Sequence, residues 1–207
     1  HLHLLDPTRL PLAKTALSQG MGVMAISPAD KGGHLHTPSQ TLLKDCSPFQ
    51  PLDIAYRFLL AEGISTLTLG ANSPDDLKVA KRLHKASHPL VNEEKEALKR
   101  LKNAREKRLG NMNCGQCRSC LPCPQQVPIP EILLLRNLAI GHDLQSFSKE
   151  RYNLIGQASH WWEQLNGDAC KNCGECIPRC PNELPIPELL DDTHRRLQDK
   201  PKRRLWG

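Results

Sequence analysis

The stretch CKNCGECIPRCP, residues 170–181, decides how the second half of this chain is built. Its cysteines, Cys170, Cys173, Cys176 and Cys180, follow a C-x2-C-x2-C-x3-C spacing and are closed by Pro181. A second run lies upstream, with Cys114, Cys117, Cys120 and Cys123 closed by Pro124, and is one residue shorter before its last cysteine. The likeness continues beyond the thiols: CPQQVPIPEILL (123–134) and CPNELPIPELLD (180–191) agree at seven of twelve positions. The chain therefore carries an internal duplication. Each copy is a four-thiol loop, a proline-rich exit and a helix opening at Pro130-Glu131 or Pro187-Glu188. Proline suits the first helical turn, and a carboxylate there suits the helix dipole. Three thiols spaced by two residues wrap tightly around one centre, and the fourth comes from farther along. The proline after it has no N–H to donate and turns the chain away.

Eight of the nine cysteines belong to these runs. The second run is similar to the bacterial ferredoxin pattern for [4Fe–4S] ligation, including its proline. In two-cluster ferredoxins the fourth cysteine of each run binds the other cluster. The eight cysteines are thus candidate ligands for 4Fe-4S clusters, two on this count. Arg118, Lys171 and Arg179 lie inside the runs and would offset part of the thiolate charge. Zinc is a rival, but it takes paired CxxC knuckles, and the third close cysteine with its proline favours iron–sulfur. Disulfides suit secreted domains, and closely spaced thiols are poor disulfide geometry. Cys46 stands apart and reads as a small core residue. His142, His160 and His194 are not needed as ligands, since eight thiols fill eight sites.

The composition excludes several classes. No stretch approaches eighteen apolar residues, so no membrane-spanning helix is expected. No basic-then-apolar leader is visible, and the expected location is the cytoplasm. With 3 Trp, 2 Tyr and 3 Phe, an aromatic-rich β sandwich is not expected. The net charge is +6, yet residues 114–180 are neutral. Most of the excess falls in 92–110, which reads as one amphipathic helix capped by Asn92, with Glu93 and Glu94 in its first turn and Gly110 at its end. Its charges do not interleave with aromatics, so nucleic acid is not an expected partner. The chain begins with His1 and reads as a piece of something longer.

The first half alternates helix and strand. Helices are expected over 11–19, 51–62 and from Ser73-Pro74 onward, and strands over 21–27 and 64–70. Ser73 and Asp76 fit a capping box. Strands separated by helices pair in parallel, and their carboxyl ends, the loops at 27–33 and 70–74, are where such sheets hold ligands. The 46 residues between the cysteine runs read as helices over 131–140, 143–154 and 157–165, with Trp161 and Trp162 as packing residues. An all-helical ferredoxin-type domain is expected there.

MGVMAISPADKGGHL (21–35) followed by ISTLTLGANSPDDL (64–77) resembles the last two strand–helix units of an aldo/keto reductase barrel. The cysteine half resembles the ferredoxin-type extension of one branch of that family. The fold class implied is α/β then all-α: a partial (β/α)8 barrel over residues 1–110, then a helical ferredoxin-type domain over 111–207. The resemblance implies NADP or NAD as cofactor and a small-molecule carbonyl or alcohol substrate, with an electron-transfer protein as a further partner. It places Ser27 and Pro28 beside the pyrophosphate or ribose, and Gly70, Ala71, Asn72 and Asp76 near the adenosine end. No basic residue lies in 70–76 to favour a 2′-phosphate. The family's catalytic residues come from earlier strands. Tyr56 and Tyr152 do not match them, and no catalytic residue is carried over. The expected function is an oxidoreductase coupling hydride chemistry to one-electron steps, with a non-catalytic electron-transfer module as the alternative.

Overall fold

A computed structural model describes residues 1–71, 73–84, 89–157 and 165–199. Asn72, His160, Trp161 and Trp162, most of the helix expected over 157–165, and the tail from residue 200 lie outside them. The chain divides into two compact units, residues 1–104 and 105–207.

The first unit alternates as its periodicity dictates. Helix α1 (Leu10–Ser18) is followed by strand β1 (Met24–Ala25), helices α2 (Gln40–Cys46) and α3 (Pro51–Ala61), and strand β2 (Thr66–Leu67). A 3-10 turn at Pro74–Leu77 runs into α4 (Lys78–His84). Prolines open α1 and α3, and Gly20 and Gly63, both at positive φ, lie just past their ends. The capping box forms: the Ser73 N–H donates to the Asp76 carboxylate at 2.9 Å. The strands pair in parallel, Met24 with Thr66 and Ala25 with Leu67. Both are shorter than the apolar runs predict, because side-chain hydroxyls end the ladder. The Val23 N–H donates to Ser65 Oγ (3.0 Å) and the Ser27 N–H to Thr68 Oγ1 (2.8 Å). Leu2, Ala25, Leu59 and Ile64 form the core, with Leu10, Leu17, Val23 and Phe58 packed on it. The opposite side is open, with Met24 60% exposed.

Helix α2 is absent from the sequence expectation. The Ser39 side chain accepts from the Leu42 N–H and starts it, and Leu42 and Cys46 are fully buried. Cys46 is thus the small core residue its isolation predicts.

Helix α5 (Asn92–Leu109) spans the boundary between the units. Its charges are not all a solvated face. Glu94 is buried and receives Arg57 through two hydrogen bonds of 2.7 and 2.9 Å, while also accepting from the Val91 N–H. A buried charge is tolerated only when paired in this way. In the second unit, Arg105 donates to Asn113 Oδ1 and Arg108 to the Gly141 carbonyl.

In the rest of the second unit the regular structure among the described residues is helical, and the cysteine runs are loops. That regular structure comprises α6 (Ile129–Gly141), α7 (Gln145–Tyr152), a 3-10 turn at Gly167–Ala169 and α8 (Ile186–Leu197). Helix α6 is apolar nearly all round and buried along most of its length, packing on α7 and α8. No helix among the described residues is long and apolar enough to cross a membrane.

Candidate metal centre

The duplication seen in the sequence is reproduced in the backbone. Each run turns through two left-handed residues: Gln116 and Arg118 in the first (φ 59° and 66°), Asn172 and Gly174 in the second (φ 52° and 77°). The Leu121 N–H then donates to the Arg118 carbonyl, and the Ile177 N–H to that of Gly174. Past the fourth cysteine, Gln126 and Glu183 are left-handed again, donating to the carbonyls of Cys123 and Cys180. Pro128 and Pro185 cap α6 and α8 with nearly the same dihedrals, −77°/70° and −74°/68°.

These loops build two recesses, and the cysteines sort between them by exchange. Cys114, Cys117 and Cys120 share one with Cys180, against Pro130, Leu133, Leu184 and Ile186. Cys170, Cys173 and Cys176 share the other with Cys123, against Ile129, Pro187 and Leu190. The two recesses are of similar size. Each fourth thiol thus stands away from its own three and beside the other loop. Arg179 ties this crossing, donating to the carbonyls of Glu175 (2.8 Å) and of Pro122 (3.1 Å), the neighbour of Cys123. Within each set one thiol, Cys117 or Cys173, is exposed, while Cys114, Cys120 and Cys176 are buried.

Burial raises the thiol pKa at Cys114 and Cys176 and pushes Cys120 up to about 11, with the neighbouring cysteines adding to the rise. At Cys117 hydrogen bonds from the Ser119 side chain and backbone lower it. Four thiols facing one recess repel as thiolates and favour a cation among them. Among the described residues, no group of three or more His, Cys, Asp or Glu is arranged to hold a single metal ion.

The helix after each run folds back to brace that run's start. Asn137 on α6 is 1% exposed. Its Nδ2 donates to the Cys114 carbonyl (2.8 Å) and to Asn113 Oδ1 (3.2 Å), and its Oδ1 accepts from the Cys114 N–H (3.4 Å). On α8 the equivalent position is His194, whose Nδ1 meets the buried Tyr152 hydroxyl at 2.7 Å. Tyr152 in turn accepts from the Gly167 N–H at 3.0 Å, just before Cys170. Sequence reasoning missed both braces. The signal was present: each lies fourteen residues after the fourth cysteine of its run. His142 is buried and His194 is engaged by Tyr152; neither lines a thiol recess.

In the first unit, Ser27 (φ 52°) and Pro28 follow β1, and Gly70, Ala71 and Asp76 follow β2. The register and the Ser27–Thr68 hydrogen bond bring these two loops together at the carboxyl end of the sheet. Asp76 is engaged by Ser73, and Asp75 by Lys78 at 2.8 Å. Tyr56 is buried in α3 and donates to the Thr68 carbonyl at 3.2 Å.

Set against models of known protein families, curated proteins and solved structures, the chain has no match in any of the three.

Proposed function

We propose that the second unit is a two-cluster, ferredoxin-type electron-transfer module belonging to an iron–sulfur oxidoreductase of aldo/keto reductase type. The exchange of Cys123 and Cys180 between the runs carries this reading. It converts two sequence repeats into two four-thiol sets, and this crossing is the one two-cluster ferredoxins use. The donor chemistry fits: four thiols per set, apolar walls, and backbone turns that wrap each loop. Cys114, Cys117, Cys120 and Cys180 would hold one 4Fe-4S cluster, and Cys123, Cys170, Cys173 and Cys176 the other. A bound cluster supplies one-electron transfer at a potential tuned by hydrogen bonds and exposure. The chain's own part is to exclude water with Leu133, Leu190, Ile129 and Ile186, and to leave Cys117 and Cys173 at the surface where a redox partner approaches.

The barrel part rests on less. The two loops at the sheet's carboxyl end are where an α/β sheet binds a nucleotide, and Met24 and Ile26 offer apolar surface that further strands would bury. The Pro74–Leu77 turn carries two carboxylates and no basic residue of its own, which suits an adenosine end without a 2′-phosphate. Ser27 and Asp76 are already bonded within the chain, so these residues alone do not form a nicotinamide cradle, and no hydride step is derived from them. A small carbonyl or alcohol substrate, NAD or NADP, an electron-transfer partner protein and a reducing cytoplasmic setting complete the proposal.

Anaerobic reconstitution with iron and sulfide tests it. The expected product is brown, absorbs broadly in the visible and contains iron and acid-labile sulfide in equal amounts for two clusters. Material that stays colourless, or binds only zinc, refutes it. Nicotinamide binding tests the barrel part separately: no binding at millimolar cofactor removes it and leaves the electron-transfer module standing.

A further inference from the structure

The two thiol sets share a backbone but not their side-chain donors. Gln116 and Asn172 occupy equivalent left-handed positions, each two residues past the first cysteine of its run. Gln116 Nε2 lies 3.4 Å from Cys114 Sγ and 2.9 Å from the Pro130 carbonyl. A primary amide nitrogen has two hydrogens, and these two partners use both. The Pro130 carbonyl only accepts, so the amide must turn its nitrogen, not its oxygen, toward it, and the second hydrogen then faces the sulfur. Asn172 is one methylene shorter, and among the described residues no side-chain hydrogen bond is made from it to a sulfur. The difference repeats three residues on. Ser119 carries a hydroxyl able to donate toward Cys117 two residues before it, whereas its counterpart is Glu175, whose carboxylate only accepts.

We propose that Gln116 is a positioning residue that makes the Cys114/Cys117/Cys120/Cys180 site the more easily reduced of the two, through its hydrogen bond to Cys114 Sγ. The inference rests on the cluster reading above. Reduction adds one electron, taken from an external low-potential donor, and places more negative charge on the ligand sulfurs. A donor aimed at one of them stabilises the reduced form and raises the potential. The second recess has Lys171 and Arg179 in its lining, but Glu175 lines it too. Lys171 and Glu175 are exposed, and exposed charges are screened by salt whereas a direct hydrogen bond to sulfur is not.

The test is an anaerobic redox titration of the reconstituted full chain with dithionite, followed by electron paramagnetic resonance. The unsubstituted protein should show two separate one-electron waves. Gln116→Leu, and Gln116→Met as a variant of similar length, should move the higher wave down toward the lower and leave the lower in place. Ser119→Ala should move the same wave by less, and Asn172→Leu should move neither. Coincident waves in the unsubstituted protein overturn the role of Gln116. So do unmoved waves in fully loaded Gln116 variants, movement of the lower wave, or loss of iron from both variants, which would make the residue purely structural. Failure of the unsubstituted protein to take up iron and sulfide overturns the cluster reading itself, a separate and distinguishable result.

Discussion

The two cysteine runs are one backbone solution written with two sets of side chains. Where the backbone must turn left-handed, the first run uses Gln116 and Arg118, and the second uses Asn172 and Gly174. Where each run's start must be held, the first uses a direct amide brace from Asn137, and the second a relay from His194 through Tyr152 to Gly167. The two copies preserve the spacing of their first three thiols, the proline exits and the helix starts, which the shape of a four-thiol loop requires. They differ in what surrounds the sulfurs, which a loop shape leaves free.

The largest expected effect breaks or upholds the exchange. Cys123→Ala with Cys173→Ala should cost no more iron than Cys173→Ala alone, about half the total, because both thiols face one recess. Cys123→Ala with Cys117→Ala should remove nearly all of it. If each run served its own cluster these outcomes would reverse, and iron and sulfide analysis of the variants decides.

The braces come next. Asn137→Ala deletes three hydrogen bonds to the start of the first run and leaves buried backbone groups unsatisfied. A loss of about 3 kcal/mol is expected, read by chemical denaturation and by faster iron release to a chelator from one site. His194→Ala removes one partner of Tyr152, whose oxygen keeps the Gly167 N–H, and should cost only about 1 kcal/mol. Equal effects from the two would show that the braces are equivalent after all.

A pH test separates the cysteine unit from the first unit, which holds none of the eight thiols. His3 is driven down to about 4 by burial, against an ordinary value of 6.5. Between those values the unfolded chain binds the extra proton and the folded chain does not. The stabilisation is therefore complete above pH 6.5, falls as the pH drops toward 4, and changes no further below that. The loss is on the order of 2 kcal/mol, visible as faster amide exchange near Leu2 and in α1. His3→Leu should flatten this profile; an unchanged slope would show that other groups set it.

The smallest effect sharpens the left-handed comparison. Gly174→Ala adds a methyl with only Ile177 Cδ1 nearby, at 4.0 Å, so its cost is backbone strain alone, about 1 kcal/mol. Arg118→Gly relieves that strain in the other run but loses the 2.6 Å ion pair with Glu131, which is half-exposed, and should come out near zero by thermal denaturation.

What could be read from the sequence follows how local the cause was. Helices α1, α3 and α5 carry their own stop and start residues, and structure and expectation agree there to within a residue or two. The strands were overextended, since an apolar run reports burial and not where Ser65 and Thr68 end the ladder. Helix α2 was missed because its seven residues are too few to show a period. The buried Arg57–Glu94 pair was missed because its partners are thirty-seven residues apart. For the candidate site, the eight thiols were visible as spacing, whereas the side chains that reach them were not.

From the linear chain alone come the duplication, the eight thiols, the proline exits and the alternation of the first half, because each depends on neighbours within a few residues. Only the folded chain decides which thiol stands with which, that Gln116 reaches a sulfur and Asn172 does not, and that Asn137 and His194 brace the runs. Those relations depend on how α6 and α8 pack, and packing joins residues that the sequence holds far apart.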